Sequence, residues 1–76
     1  MERNPLTPER IRADVADVLS VRADDLTDDA RLTDQGLDSI RLMTLIERWR
    51  AEGVDVEIVD LAERPTVAQW VERLAR

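Results

Sequence analysis

Cysteine, histidine and lysine are all missing from this chain of 76 residues, and each absence excludes a class of chemistry. Without cysteine there can be no disulfides and no thiolate metal sites. Because histidine is missing too, only carboxylates could bind a metal, and they favour hard cations. No side chain can act as a general base near neutral pH. The sequence therefore predicts a protein that is not an enzyme, with no catalytic residues and no metal site.

Positive charge and long apolar runs are also scarce. The chain has 11 arginines against 17 acidic residues, a net charge of −6. Binding to nucleic acid or to an anionic membrane needs a basic face, so neither is expected as the main partner. No apolar run approaches the roughly 18 residues of a transmembrane helix, and there is no signal-peptide core. We expect a cytoplasmic protein that meets basic patches on other proteins.

The length allows one small domain. We expect a short leader over residues 1–6, followed by a single domain over residues 7–76. A chain of this size buries only about 60–65% of its unfolded surface, so its core is thin. We expect a monomer.

Capping signals predict an all-α fold. Thr7 followed by Pro8 begins a first helix that ends near Ser20, and Asp38 can cap a second helix over residues 39–51. A short third helix is predicted near residues 57–63, and a Thr66 capping box begins the last. The fold class is a small four-helix bundle of three main helices and a short third one. The apolar stripes predict buried faces at Ile11, Val15, Val18, Leu19, Leu42, Leu45, Ile46, Trp49, Val67, Trp70, Val71 and Leu74.

Residues 21–38 form a long acidic connection between the first two helices. Its spaced apolar residues, among them Leu26 and Leu32, predict an ordered loop held to the core. Its six aspartates raise the alternative of a calcium site. The EF-hand pattern fails because neither its central glycine nor its final glutamate occurs at the right spacing. A solvated acidic face is favoured.

The candidate functional residue, Ser39, follows this loop in the stretch Gly36-Leu37-Asp38-Ser39. Ser39 has no base in the chain to activate it, which excludes a Ser-His mechanism. A serine at the start of a helix is ordinarily only a polar residue. A serine presented without catalytic groups also suits modification by another enzyme, and a helix N-terminus would stabilise an attached phosphate. Asp38 would repel that phosphate unless a cation bridges them.

Three apolar residues near the serine end, Met43, Ile58 and Ala62, have two interpretations. They are either part of the core or a surface that faces a partner, for which methionine is well suited. The only aromatic residues, Trp49 and Trp70, are predicted to anchor the core.

The order of these elements resembles the phosphopantetheine-dependent carrier protein family, over residues 7–76. Within that family, Gly36-Leu37-Asp38-Ser39 followed by Ile40-Arg41 is most similar to aryl carrier domains. Arg48-Trp49-Arg50 and Leu61-Ala62 with Pro65-Thr66 have the same similarity. Such domains carry dihydroxybenzoate or salicylate in the nonribosomal synthesis of siderophores.

The resemblance implies a covalent cofactor and a set of partners. Ser39 would receive 4′-phosphopantetheine from coenzyme A through a phosphopantetheinyl transferase, with Gly36, Leu37 and Asp38 completing the attachment site. An aryl-acid adenylating enzyme would transfer the aryl acid to the arm's thiol, where it is held as a thioester. A condensation domain of a nonribosomal peptide synthetase would then use that thioester. The resemblance also places partner contacts at Ile40, Met43, Ile58 and Ala62.

Two alternatives stay open at this point. The chain could be a peptidyl or polyketide acyl carrier, or, in a different class, a helical interaction module whose Ser39 is never modified. Amino acid carriers more often have Gly-Gly-Asp-Ser and fatty acid carriers Gly-Ala-Asp-Ser. Leu37 departs from both and favours an aryl load.

Overall fold

A computed structural model describes residues 6–75 and confirms the all-α fold class. The four α-helices lie in the predicted order, and the described residues contain no β-strand. The long connection between the first two helices contains two 3₁₀ turns, Ala23–Asp25 and Leu32–Gln35, which the sequence did not predict. The helices are α1 (Pro8–Leu19), α2 (Ser39–Ala51), α3 (Ile58–Ala62) and α4 (Val67–Leu74).

The three main helices begin at the predicted caps. The side chains of Thr7, Asp38 and Thr66 each accept a hydrogen bond from a backbone N–H three residues later, at 3.0, 2.9 and 3.2 Å. These bonds satisfy donors that a helix start otherwise leaves without partners. α1 ends at Ser20, whose positive φ of 58° turns the chain out of the helix. The predicted bounds of α1 and α2 are confirmed.

The contacts at the start of α4 differ from the capping box predicted at Thr66. The Thr66 hydroxyl donates to Gln69 Oε1 at 3.1 Å, so the Gln69 side chain bonds the cap's side chain instead of its backbone. A reciprocal contact occurs at α3 instead, where the Glu57 N–H donates to Asp60 Oδ2 at 2.9 Å. That helix has a single turn, too short for an apolar periodicity that would reveal its start.

The core forms where the faces of α1, α2 and α4 meet. Trp49 of α2 and Trp70 of α4 are both buried and pack edge to face, with ring centroids 6.2 Å apart. Their predicted role as core anchors is confirmed. The other predicted stripe residues are buried as well, apart from Val18 and Val71, which are half-buried. Leu6, the last residue of the predicted leader, is also buried, whereas residues 1–5 of that leader lie outside the described residues.

One buried carboxylate was not predicted. Asp14 lies on α1 and accepts a hydrogen bond from the indole Nε1–H of Trp49 at 2.7 Å. Arg10 donates to the same oxygen at 3.1 Å, and Arg48 lies 3.6 Å from the other oxygen. A buried charge is tolerated when it is paired and hydrogen-bonded in this way. Asp14 therefore joins α1 to α2 inside the bundle.

The acidic loop is held to the rest of the bundle, as predicted. Leu26 and Leu32 are buried in the core. The Leu32 N–H donates to Pro65 O at 2.8 Å, and the Ala68 N–H donates to Asp28 O at 2.9 Å. These two bonds fix the loop against the linker between α3 and α4 and against the first turn of α4. No helix in residues 6–75 is long and apolar enough to cross a membrane.

Candidate functional site

Ser39 is the first residue of α2 and is exposed to solvent. Its hydroxyl has no hydrogen-bond partner among residues 6–75. The first turn of α2 contains no acidic side chain beyond the Asp38 cap, so the partial positive charge of the helix end is offset only by that carboxylate, which is itself paired with Arg41. The serine oxygen is therefore open to an enzyme from outside, and a negative group attached to it would be stabilised.

Gly36 directs the chain into α2. Its φ is 106°, a left-handed conformation that side chains other than glycine rarely adopt. Its N–H donates to Thr33 O at 3.3 Å, and the Leu37 N–H donates to Leu32 O at 3.0 Å, which closes the second 3₁₀ turn. A Cβ built on Gly36 would meet nothing within 4 Å. The glycine is thus required for its backbone angle, not for a close approach.

Asp38 is neutralised by a cation from its own helix. Its carboxylate accepts from the Arg41 N–H at 2.9 Å and from Arg41 Nη1 at 2.7 Å. The Arg41 Nε–H also donates to Val18 O at 3.1 Å, which anchors the guanidinium to α1. The backbone bond from Arg41, assisted by its charge, holds the pKa of Asp38 below its ordinary value of 3.8. The repulsion expected between Asp38 and a phosphate on Ser39 is reduced accordingly.

A groove opens beside Ser39, between the end of the acidic loop, the start of α2 and α3. Its volume is about 420 Å³, and we call it the serine groove. The apolar part of its lining comes from leucines on each of these three elements, and the polar part includes two arginines. The lining includes Leu37, Leu42, Leu61, Ser39, Arg31 and Arg64.

The predicted partner-facing residues all lie at the surface. Ile40 is 78% exposed, Ile58 45% and Met43 38%, and Ala62 is also exposed. Val59, 51% exposed, belongs with them but was not predicted, since a one-turn helix gives no periodicity to separate its faces. Apart from the small Ala62, these residues are the only large apolar side chains classed as exposed among residues 6–75. We call Ile40, Met43, Ile58, Val59 and Ala62 the apolar patch.

The aspartates of the loop do not come together. Within residues 6–75, no group of three or more acidic side chains is placed to hold a metal ion. Asp28 instead pairs with Arg12, whose guanidinium also donates to Leu26 O at 2.8 Å.

An exposed serine at the start of the second helix of a small bundle is the arrangement expected of a carrier domain, a class whose members are modified by other enzymes. Comparison with known proteins identifies the family. The chain belongs to the phosphopantetheine attachment site family, whose model matches residues 9–74. The resemblance inferred from the sequence is confirmed.

Three relatives illustrate the range of proteins in which similar domains occur. The chain is 49% identical over 69 residues to isochorismatase of Bacillus subtilis, an alignment that covers 91% of the chain and 22% of that protein. It is 53% identical over 62 residues to phenyloxazoline synthase MbtB of Mycobacterium tuberculosis, covering 82% and 4%. It is 42% identical over 71 residues to the acyl carrier protein ScoB of Streptomyces coeruleorubidus, covering 93% and 84%.

The chain therefore spans only about a fifth of the isochorismatase and a small fraction of the synthase, but most of the acyl carrier protein. No solved structure matches the chain significantly. As a member of this family the chain is a carrier domain, and the cofactor of the family is covalent 4′-phosphopantetheine.

Proposed function

We propose that Ser39 bears the 4′-phosphopantetheine and that the chain is an aryl carrier protein of nonribosomal peptide synthesis, of the kind used for siderophores. The observation that carries the proposal is the exposed Ser39 hydroxyl at the start of α2, beside an apolar groove. When bound, the arm supplies a terminal thiol on which partner enzymes place an acyl group as a thioester.

The attachment step fits the chemistry of the site. Ser39 Oγ forms a bond to the pantetheinyl phosphorus of coenzyme A, and the bond from that phosphorus to the leaving adenosine 3′,5′-bisphosphate breaks. The hydroxyl proton must leave to a base of the transferase, because the chain has no histidine, cysteine or lysine and the neighbouring Asp38 carboxylate is paired with Arg41. The phosphodiester then stands at the positive end of α2.

The neighbouring residues of the motif have separate tasks in this proposal. Gly36 supplies the positive φ that turns the chain, and Leu37, half-buried, packs against the core and lines the groove. Asp38 caps α2 and is paired with Arg41. Together they present Ser39 without burying it.

The chain offers a matched control for this assignment. It contains one other serine, Ser20, which is also exposed and adopts a φ of 58° that glycine accepts without strain. After incubation with a broad-specificity phosphopantetheinyl transferase and coenzyme A, we expect wild type and Ser20→Gly to gain the mass of one phosphopantetheinyl group. Ser39→Ala should gain none. A mass gain that survives in folded Ser39→Ala would refute the assignment.

The aryl load is supported by Leu37 in the motif and by the relatives. One relative is named as a phenyloxazoline synthase, and a phenyl ring is an aryl group. We expect the modified protein to be acylated faster by a dihydroxybenzoate- or salicylate-adenylating enzyme than by amino acid or malonyl loading enzymes. Intact mass over time measures all three. Faster loading with an amino acid or malonate would replace the aryl assignment.

A second candidate is a carrier of other acyl groups. It is favoured by the similarity to ScoB, named as an acyl carrier protein, most of whose length the chain covers. The loading comparison separates the two candidates, since only the preferred acyl group differs between them.

We also propose that the apolar patch contacts the partner enzymes, including the adenylating enzyme and the condensation domain. Exposed apolar groups on adjacent elements mark surfaces that partners cover. Ile40 lies directly after Ser39, so an enzyme docked on the patch would reach the arm's attachment point.

A further inference from the structure

The arginines of this protein divide into two groups. Residues 6–75 contain nine arginines, and seven of them lie within 4.0 Å of a carboxylate oxygen. The other two are Arg31 and Arg64, and both line the serine groove. The seven paired arginines are Arg10, Arg12, Arg22, Arg41, Arg48, Arg50 and Arg73.

This division is not explained by a shortage of carboxylates. Acidic residues outnumber arginines by 17 to 11, so an arginine at the surface of this chain is rarely far from a negative charge. Arg64 uses Nη1 to donate to Asp60 O, at 2.6 Å, and its charge acts on the Asp60 carboxylate from beyond 4.0 Å, but its other guanidinium donors have no hydrogen-bond partner among the described residues. Arg31 is exposed and its guanidinium forms no hydrogen bond within residues 6–75. Two guanidinium groups thus keep free donors in one groove.

The backbone holds the two arginines near each other. Arg31 pairs with Thr66 in an isolated antiparallel bridge, next to the 2.8 Å bond from the Leu32 N–H to Pro65 O. Arg64 lies two residues before Thr66, which places it diagonally across from Arg31. The bond from Arg64 Nη1 to the carbonyl of Asp60 in α3 further fixes the direction of its side chain. The arrangement is therefore built into the fold.

We propose that Arg31 and Arg64 bind the phosphodiester that joins the arm to Ser39, and so direct the arm along the serine groove. This inference rests on the proposed attachment at Ser39. A phosphodiester has one negative charge and two free oxygens, which guanidinium groups bind with paired N–H donors. The start of α2, where Ser39 lies, adds its partial positive charge. The two arginines thus act as positioning residues for the arm.

The test compares apo and modified protein in three forms: wild type, Arg31→Gln/Arg64→Gln and Arg22→Gln. Arg22 is the matched control, since its side chain is 82% exposed and its only carboxylate contact, with Asp24, is at 4.0 Å. Glutamine keeps an N–H donor and removes the charge. The readouts are the ³¹P resonance of the modified protein and the difference in Tm between the modified and apo forms. That difference cancels any effect of the substitution on the apo fold.

We expect attachment to be less stabilising in the double variant than in wild type, by about 3–6 °C in the Tm difference. The ³¹P resonance should shift in the double variant, and Arg31→Gln alone should give part of both effects. Salt at about 0.5 M, where the screening length is roughly 4 Å, should remove most of the contrast. Arg22→Gln should match wild type.

The outcomes separate this inference from the proposed function. If wild type gains no mass with the transferase, the attachment at Ser39 is wrong. If it gains the mass but the double variant has the same ³¹P resonance and the same Tm difference as wild type, only the phosphate contact is refuted. A slower transferase reaction with both readouts unchanged would assign the arginines to docking of the transferase and would also refute it.

Discussion

The interior around Asp14 and the surface around Ser39 differ in whether polar groups have hydrogen-bond partners and whether apolar groups are buried. Inside the bundle, the Asp14 carboxylate has three partners, and no buried side-chain nitrogen or oxygen in residues 6–75 lacks a hydrogen bond. At the serine end, a hydroxyl and two guanidinium groups keep free hydrogen-bonding capacity, and apolar side chains are exposed. Both regions belong to one bundle of four helices.

In a domain this small, stability depends on the interior around Asp14, and the proposed function depends on the surface around Ser39. α1 and α2 run in opposite directions, since Arg10 pairs with Glu52 at the end of α2 while Arg41 bonds Val18 O at the end of α1. One end of this helix pair is joined by the Arg10–Glu52 ion pair, and the other end presents Ser39. We therefore expect substitutions in the interior to destabilise the fold. Substitutions at the serine end should leave the protein folded but make it a poorer substrate for its partner enzymes.

The largest expected effect on stability is that of Asp14→Ala. The substitution leaves the Trp49 Nε1–H buried without its acceptor and removes the carboxylate that pairs Arg10 and Arg48. We expect a loss of about 2–4 kcal/mol in the free energy of unfolding, measured by urea denaturation. Such a loss is a large share of the stability of a small domain.

Asp17→Ala is the matched control for that prediction. Asp17 lies on the same helix and pairs with Arg48 at 3.2 Å, but its side chain is 69% exposed. Its loss should cost less than about 1 kcal/mol. Equal losses for the two variants would mean that the buried network contributes no more than a surface ion pair.

A smaller effect, confined to the other region, is expected for Ile40→Ala. Because Ile40 is 78% exposed and alanine favours helices, the unfolding free energy should change by no more than about 0.5 kcal/mol. The kcat/KM of the loading enzyme for the modified carrier should fall about 5–10-fold, as for an apolar contact at an interface. Glu9→Ala, at the opposite end of the α1–α2 pair, should leave both values unchanged. Unaltered loading of Ile40→Ala would remove that residue from the partner surface.

The smallest effect concerns acid. The pKa of Asp38 is lowered by the Arg41 N–H and guanidinium, so its ionised form stabilises the fold. That contribution is fully present above the ordinary pKa of 3.8 and is lost as the pH falls through the lower folded value. In Asp38→Asn, the asparagine would still cap α2 but could not titrate. Tm is measured for both proteins from about pH 7 to about pH 2.5. We expect the difference in Tm between wild type and this variant to disappear below about pH 4. A gap that stays constant would show that Asp38 does not titrate with folding.

Much of this arrangement was predictable because it depends on residues close together in the chain. Thr7 and Asp38 each cap a helix by accepting a hydrogen bond from the backbone N–H three residues later. The spacing of apolar residues predicted that Trp49 and Trp70 are buried in the core. The position of Ser39 at the start of α2 follows from the same local rules. These signals predict helices and their faces well.

The remaining features depend on residues that are distant in sequence. Asp14 meets Trp49 across 35 positions, and only the packing of α1 on α2 shows that this particular aspartate is buried. Likewise, nothing local distinguishes Arg31 and Arg64 from the other arginines. That neither has a carboxylate oxygen within 4.0 Å among the described residues becomes visible only once the loop and the α3–α4 linker lie side by side.

The proposed function depends on attachment of the arm to the Ser39 hydroxyl. Tandem mass spectrometry of the wild-type protein, folded and treated with transferase and coenzyme A, tests it most directly. We predict a single phosphopantetheinyl group on the peptide that contains Ser39. A group located on Ser20 or on a threonine, or a folded protein that gains no mass, would contradict the claim.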